Sequence, residues 1–262
     1  MAENPVHTLP DWQILEFEQQ AFWATAQSRI EIKRSSDSKQ QWQLTAESSV
    51  ISNFEQVKLR LNPETGRVIK RSRLSRGKQQ RYKTFDYLTE YILRERRNPG
   101  SDSDQPPTEW AVSNHQQIAY PELANGMLIT NAYALLLLAD RLQAGSDESA
   151  EIVVHTDFNF YQVHMTRGAD TAITVDYQLA GAQIAGAQRI TGMRNMHTVT
   201  LQVSPLGTLA DKPDFSLLGL HGEITLLFDK EFSIPVQLRG TAPRLGPAEI
   251  NLRKVTLREP RE

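Results

Sequence analysis

Alternation of apolar and polar residues between positions 42 and 88 predicts β-strands. Every second residue is apolar over 42–46, and the same period of two returns over 57–61. Successive side chains of a strand point to opposite faces, so this period is typical of a half-buried strand. The turn residues of Asn62–Gly66 join the second segment to Arg67–Leu74, which predicts a hairpin with a basic outer face. Another strand is predicted at Arg81–Leu88.

The later part of the chain predicts one helix and then strands again. Four consecutive leucines make the segment Thr130–Ala144 apolar nearly all round, which is typical of a buried helix. Thr130 or Asn131 can cap its start and Gly145 can end it. The strand candidates that follow are Glu151–Met165, Ala172–Leu179, His197–Val203, Glu223–Phe228, Phe232–Leu238 and Glu249–Leu257.

These elements predict the fold class and the domain organisation. Ten or more strands around one helix favour a mainly β fold, with a large curved antiparallel sheet or incomplete barrel and one buried helix. The hairpin Gly222–Arg239 is the best defined, and Pro235 places its second strand at an edge or a bulge. We predict an N-terminal extension over 1–21, a single β-rich domain over 22–258 with a flexible loop at 98–108, and a C-terminal tail over 259–262.

The residue types exclude several kinds of chemistry. The 262 residues include no cysteine, which rules out disulfides, thiolate metal sites and a cysteine nucleophile. Zinc-protease, serine-nucleophile and phosphate-loop motifs are also missing. His155 and Asp157 share a strand face and suit a metal site or an acid–base pair, and His221 and Glu223 repeat the spacing. Hydrogen-bonded or surface histidines are the simpler interpretation, so we assign no catalytic residue, no metal site and no cofactor.

Charge is distributed unevenly along the chain. The forty residues from Lys58 to Arg97 contain 13 Lys and Arg and 4 Asp and Glu, a sum of 13 − 4 = +9 in a chain of net charge −2. A basic surface attracts anionic partners, although charged strand faces also keep sheets soluble. An isoelectric point near 6.3 argues against nucleic acid. The candidate anion- or surface-binding residues are Lys58, Arg60, Arg67, Arg71, Arg73, Arg76, Lys78, Arg81 and Lys83.

The order of elements resembles the DUF3108 family of exported bacterial proteins, whose function is uncharacterised. The resemblance rests on an early strand pair, the step Phe85-Asp86-Tyr87, a loop, the leucine-rich segment Leu135–Leu142 and a closing strand–proline–strand unit that ends at Leu252–Leu257. It covers roughly residues 22–258 and implies a periplasmic β-sheet protein, similar in outline to lipid carriers that wrap a half-barrel around an apolar cavity. It implies no catalytic residues. Leu135, Leu138 and Leu142 are the helix residues expected at such a ligand cavity.

Three functions remain open at this stage. The favoured one is a non-enzymatic envelope or periplasmic protein that binds an apolar or amphipathic ligand, such as a lipid, or an anionic envelope surface. The second is a carboxylate-dependent enzyme acting on an acidic polysaccharide through residues such as Asp157 or Glu223. The third is a protein-interaction module whose edge strands recruit a partner.

The location of the protein depends on its N-terminus. The start MAENPVHTLPDW has neither the basic nor the apolar segment of a signal peptide. We therefore expect a periplasmic protein if a leader has been removed, and a cytoplasmic one otherwise. No run of eighteen apolar residues occurs, so we expect no transmembrane segment.

Overall fold

The strands of the computed structural model join into one large antiparallel sheet around a single helix, which confirms the predicted fold class. The structure describes residues 9–259 except 22–23, 37, 39, 79, 101–104, 182–183, 185 and 244. Fifteen strands lie within this part of the chain: β1 (Trp12–Ala21), β2 (Ala24–Arg34), β3 (Trp42–Val50), β4 (Asn53–Leu61), β5 (Val68–Arg76), β6 (Arg81–Tyr87), β7 (Tyr91–Asn98), β8 (Ala111–Ala119), β9 (Ile129–Thr130), β10 (Ser149–His155), β11 (Phe160–Ala180), β12 (Gln188–Pro205), β13 (His221–Asp229), β14 (Ile234–Ala242) and β15 (Gly246–Leu257). The order across the sheet is 8-7-6-5-4-3-2-1-15-14-13-12-11-10-9.

Strands β1 to β8 form a meander in which each strand pairs antiparallel with the next. The period of two that predicts β3 and β4 also fixes which residues face the interior. Leu44 pairs with Leu59 and Ala46 with Val57, and all four side chains are buried. Lys58, between two buried neighbours, is exposed on the opposite face. The concave face of the meander is therefore apolar where it meets the core.

The C-terminal strands close on themselves in a ring-like arrangement. One edge of β15 pairs with β1, and its other edge pairs first with β14 and then, in parallel, with the end of β11 at Gln178–Ala180. The predicted strands Glu151–Met165 and Ala172–Leu179 are divided differently, because the turn Thr156–Asn159 separates β10 from a 21-residue β11. In the predicted hairpin Gly222–Arg239, a register shift lies beside Pro235, so the proline sits at a bulge.

The helix α1 (Leu135–Ala144) fills the space that the curved sheet encloses. Its leucines are buried, as the apolar sequence predicts. It starts later than Thr130, because Asn131 is extended and its side chain accepts from the backbone N–H of Tyr133, which begins a 3₁₀ turn at Ala132–Ala134. Arg141 donates to the carbonyl oxygen of Pro63, so the helix is tied to the β4–β5 turn. No helix in the described part of the chain is long and apolar enough to cross a membrane.

The predicted N-terminal extension over 1–21 is wrong for residues 12–21. This segment is strand β1, which lies in the middle of the sheet between β2 and β15. Trp12, Leu15 and Phe17 are buried there. A register shift between Trp12 and Ile14 breaks the period of two, so the pattern does not read as a regular strand. Residues 1–8 lie outside the described residues.

The predicted loop at 98–108 connects β7 to β8, and four of its residues, 101–104, lie outside the described part. The described end of the loop is held in place. Trp110 is buried and donates through Nε1 to the carbonyl oxygen of Gln105, while Arg97 donates to the carbonyl oxygen of Thr108. Of the predicted C-terminal tail, only Glu259 is described.

Candidate functional site

A cavity of about 820 Å³ opens between the concave face of the meander and the turns of the second half of the chain. Strands β2 to β5 form one wall. The 3₁₀ turn before α1, the β10–β11 turn, the 214–219 segment and the β14–β15 turn form the other. The lining residues are Gln19, Ala26, Ser28, Ser48, Ser49, Val50, Asn53, Phe54, Glu55, Val57, Arg71, Arg73, Ser75, Arg76, Lys78, Asn131, Ala132, Tyr133, Thr156, Asp157, Asp214, Ser216, Leu218, Gly219, Ala242, Pro243 and Leu245.

Alternation along β5 brings cations into this cavity. Arg71, Arg73 and Ser75 share the concave face, opposite Leu59, Val57 and Glu55 of β4. Arg71 is only 3% exposed. Side chains of neighbouring strands at directly opposite positions contact one another, so the arginines and the apolar residues of β4 form a mixed wall.

The predicted single basic face on the outside of the sheet is therefore wrong. The strand register divides the nine residues among different surfaces, because neighbouring positions on a strand point to opposite sides. Lys58 and Arg60 lie on the convex face, whereas Arg71, Arg73 and Lys83 lie on the concave face. Arg76 and Lys78 lie at the exposed tip that lines the cavity, and Arg67 lies at the opposite end of β5. Arg81 is opposite Ser75 in the pairing of β5 with β6.

Asp157 is the carboxylate around which the concave-face cations gather. It accepts from the ammonium of Lys83, and Arg73 Nη1 and Arg71 Nη2 lie 3.7 Å and 3.9 Å from its Oδ1 atom. Burial alone would raise the pKa of Asp157, but the positive charges of Lys83, Arg71 and Arg73 outweigh burial and hold it at about 2. Asp157 is thus ionised over the whole physiological range.

The cluster holds more positive than negative charge. Arg73 donates to Glu55 through Nε at 2.7 Å, and Arg94 lies 4.4 Å from the ring of Phe158 beside Asp157. Four cations, Arg71, Arg73, Lys83 and Arg94, thus lie near three carboxylates, because Asp214 accepts from the backbone N–H of Asp157. Burial lowers the pKa of Lys83, and the charges of Arg73 and Arg94 lower it further in spite of Asp157. The local field therefore favours an additional anion.

His155 and Asp157 do not act as a pair, because their side chains point into different environments. His155 is fully buried among aromatic rings, and its Nδ1 atom lies 3.0 Å from the hydroxyl of Tyr87. Burial lowers the pKa of His155 well below its usual value, and the charge of Arg71 lowers it further. The imidazole is therefore neutral. Among the described residues, no group of three His, Asp or Glu side chains has the arrangement of a metal site.

Arg71 links the meander to the β10–β11 turn. Its Nη1 atom donates to the carbonyl oxygen of His155 at 2.9 Å, and Nη2 donates to that of Thr156. Its guanidinium lies 3.7 Å from the centroid of the Phe85 ring, a cation–π contact. Arg71 is thus fixed by the fold, whereas Arg73 keeps part of its side chain accessible, with 38% exposed.

A second polar cluster shapes the far wall, and the sequence pattern gives no sign of it. Asp214 accepts from the hydroxyl of Thr156 at 2.7 Å, the amide of Asn159 at 2.9 Å and the hydroxyl of Tyr161 at 3.1 Å. Asn159 also accepts from the backbone N–H of Ala210. These bonds hold the connection between β12 and β13 against the β10–β11 turn.

The connection between β12 and β13 places an apolar residue with a strained backbone at the cavity. Leu218 has φ of 54° and only 8% of its surface exposed. Leu217 and Leu220 form an isolated bridge around it, and Gly219 follows with φ of 89°. Positive φ is uncommon for a residue with a β-carbon and is found at binding sites, where surrounding structure maintains it.

The exposed residues that line the cavity form its mouth: Ser49, Asn53, Arg76, Lys78, Gly219 and Pro243. Within the described residues, neither Arg76 nor Lys78 has an ion pair or a side-chain hydrogen bond. The entrance therefore carries two unpaired positive charges, whereas the cations deeper inside are partly neutralised.

The helix leucines occupy the core and not the cavity wall. Leu135, Leu138 and Leu142 are buried, and the helix side of the cavity is lined by Asn131, Ala132 and Tyr133. This placement differs from the expectation of a ligand-contacting helix. The reason is that the 3₁₀ turn before α1, and not the helix itself, projects toward β4 and β5.

Two carboxylates of the cavity, Asp157 and Glu55, pair with cations, and a third, Asp214, accepts hydrogen bonds from neutral groups. Asp157 is ionised, so it does not provide the protonated acid that glycoside hydrolysis requires. Glu223, the other predicted candidate, is exposed on β13 and does not line the cavity. The arrangement supports binding of an anion with an apolar part.

The edge of the sheet bears on the predicted interaction module. In the described part of the chain, β8 is the edge strand next to β7, and eight of its nine residues are exposed. A register shift between Arg96 and Arg97 interrupts its pairing with β7. Such bulges on edge strands hinder the addition of a further strand.

Comparison of the chain with family models, with curated proteins and with solved structures gave no match.

Proposed function

We propose that the protein binds an amphipathic ligand that has an acidic head, without a chemical reaction. The observation that carries the proposal is the cavity of about 820 Å³, which combines an apolar wall with an excess of cations. Its volume lies within the range of small-molecule sites, roughly 300–1,000 Å³.

The apolar part of the ligand would contact side chains from both walls. Val50, Phe54 and Val57 contribute from β3 and β4, and Leu218 and Leu245 contribute from the opposite turns. Each methylene group that leaves water stabilises a complex by about 0.8 kcal/mol. A chain of about ten carbons thus supplies about 8 kcal/mol before the cost of ordering the ligand, and the bonds to the acidic head must offset that cost.

The acidic head would lie near Arg73, Arg76 and Lys78. Arg73 remains partly exposed although Glu55 and Asp157 contact different nitrogens of its guanidinium, and Arg76 and Lys78 lie at the mouth. A carboxylate or phosphate placed there gains charge-assisted hydrogen bonds. The serines of the wall, Ser28, Ser48 and Ser75, supply neutral hydroxyl groups that tolerate water or polar ligand atoms.

The resemblance to the DUF3108 family implies a fold similar in outline to lipid carriers, and such a fold would suit this function. An envelope or periplasmic carrier would use such a cavity to shield the apolar part of its ligand from water. The nature of the ligand follows from the wall chemistry alone, so the proposal holds for a cytoplasmic location as well.

Equilibrium binding of a fluorescent acid, dansylamino-undecanoic acid, tests the proposal. Ser75 lies on the cavity wall and Ser72 on the opposite face of the same strand, so Ser75→Trp fills the cavity while Ser72→Trp leaves it open. We expect the native protein and Ser72→Trp to bind the probe with similar affinity, and Ser75→Trp to bind it at least ten-fold more weakly. Equal affinity in all three folded proteins would contradict the proposal.

A further inference from the structure

The tip of the β3–β4 hairpin carries an apolar residue in an unfavourable position. Ile51 is 70% exposed and has φ of 55°. The left-handed conformation suits glycine or asparagine, and it is a genuine outlier for a β-branched residue. Two unfavourable features thus coincide at one residue, and neither is explained by packing, because the side chain points into solvent.

This residue stands beside the mouth of the cavity. Its neighbours Val50 and Asn53 line the cavity, and Phe54 pairs with Arg76 at the end of β5. The β3–β4 and β5–β6 tips are in close contact, since a β-carbon on Gly77 would lie 2.3 Å from Asn53 Oδ1. The exposed isoleucine and the unpaired Arg76 and Lys78 therefore form one rim.

We infer that this rim, Ile51 with Arg76 and Lys78, docks the protein on the surface of an anionic phospholipid bilayer. The inference rests on the proposed function, because docking would place the mouth against the source of an amphipathic acid. An exposed aliphatic side chain enters the boundary between head groups and acyl chains, and flanking cations attract anionic head groups. The charge of the rim is complementary to such a surface.

The contact is small, so the association is weak and reversible. One aliphatic side chain and two cations give far less membrane affinity than a lipid anchor or an amphipathic helix. Salt weakens the cationic part, since the Debye length falls from about 10 Å at 0.1 M to about 3 Å at 1 M. A protein that loads or releases a ligand at a membrane benefits from such a short contact.

Co-sedimentation with lipid vesicles tests the inference. We expect binding to vesicles of phosphatidylglycerol and phosphatidylcholine in equal parts at low salt, and much weaker binding to phosphatidylcholine alone. Ile51→Asn suits the left-handed backbone, so the variant should unfold at the same or a higher temperature yet bind the anionic vesicles about five-fold more weakly. A purely structural role for Ile51 would not combine these two results.

Charge reversal supplies a matched pair of variants. Arg76→Glu with Lys78→Glu should weaken vesicle binding by at least about 25-fold, because each cation near the surface contributes about 1 kcal/mol, or about five-fold in affinity. Lys58→Glu with Arg67→Glu makes the same change in net charge on the convex face and at the far end of β5, and should leave vesicle binding nearly unchanged. Equal losses in both variants would show a non-specific charge effect and overturn the inference.

Different results would contradict the cavity function and the membrane docking. Ile51 does not line the cavity, so Ile51→Asn should bind the dansyl probe in solution like the native protein. Ser75→Trp should lose the probe and keep its vesicle binding. Native protein that binds the probe but not anionic vesicles would overturn the docking and leave the cavity function standing. Vesicle binding without probe binding would overturn the cavity function, and with it the role proposed for docking.

Discussion

Lys83 of β6 and Asp157 of the β10–β11 turn form an ion pair across 74 positions of the chain. The side chains are largely buried, with 13% and 16% exposed. Together with the bonds from Arg71 to the same turn, this pair fixes the distance between the meander and the second half of the sheet. The shape of the cavity therefore depends on a few charged contacts that cross it.

Asp157→Asn should destabilise the fold, because Lys83, Arg71 and Arg73 would lose the carboxylate that neutralises them. Breaking a buried pair on one side typically costs about 3–5 kcal/mol, and partial exposure here suggests about 2–3 kcal/mol. Urea unfolding followed by fluorescence measures the change. The double variant Asp157→Asn with Lys83→Met should recover part of the loss; if it is less stable than the single variant, Lys83 is not the main partner.

The pH dependence of stability follows from the pKa of Asp157. The pKa of about 2 in the folded state lies below the ordinary value of 3.8, so this group stabilises the fold above pH 4. That contribution, about 2 kcal/mol, is lost as the pH falls from 4 to 2. Unfolding at a series of pH values should show a steeper acid decline for the native protein than for Asp157→Asn. Parallel profiles would contradict this assignment.

Asp140 should act in the opposite direction. Burial in α1 raises its pKa to about 7, with the charge of Asp11 adding to the effect. The folded state keeps a proton that the unfolded chain has released, so stability falls as the pH rises from 4 through 7. Asp140→Asn should therefore stabilise the protein at pH 8 by up to about 4 kcal/mol, the full effect of a pKa raised from 3.8 to about 7, and have little effect at pH 4. An equal effect at both pH values would contradict the raised pKa.

The sequence predicts those strands whose two faces differ in polarity. β3 and β4 alternate clearly, since one face meets the core and the other meets solvent. β8 offers no such contrast because nearly all of its residues are exposed. In β1, register shifts in the pairing with β15 interrupt the alternation. Binary patterning reports burial on one side only, so strands without that asymmetry go unnoticed.

Leu218→Asn separates backbone strain from apolar contact. Asparagine tolerates positive φ, so the substitution removes about 1 kcal/mol of backbone strain. This gain offsets part of the free energy that is lost with the buried leucine side chain. We expect stability to fall by about 1–2 kcal/mol, while the affinity for the dansyl probe falls several-fold. Urea unfolding and probe titration on the same sample measure both quantities. A loss above about 2 kcal/mol with unchanged affinity would identify Leu218 as a core residue.

The candidate site was only partly predictable, because its members come from distant segments. Charge density drew attention to Arg71, Arg73 and Lys83, and strand spacing drew attention to Asp157. That the cations turn inward and meet this carboxylate depends on register and on the curvature of the sheet. Asp214 lies in a connection without any periodic pattern, so its role as the centre of a hydrogen-bond cluster follows from the fold alone.

Native mass spectrometry of the protein as isolated from cells tests the binding of an amphipathic acid most directly. We expect a population whose mass exceeds that of the chain by one molecule of such an acid, and the loss of this population in Ser75→Trp but not in Ser72→Trp. A single apo mass for the native protein, unchanged after incubation with an excess of dodecanoic acid, would contradict the account.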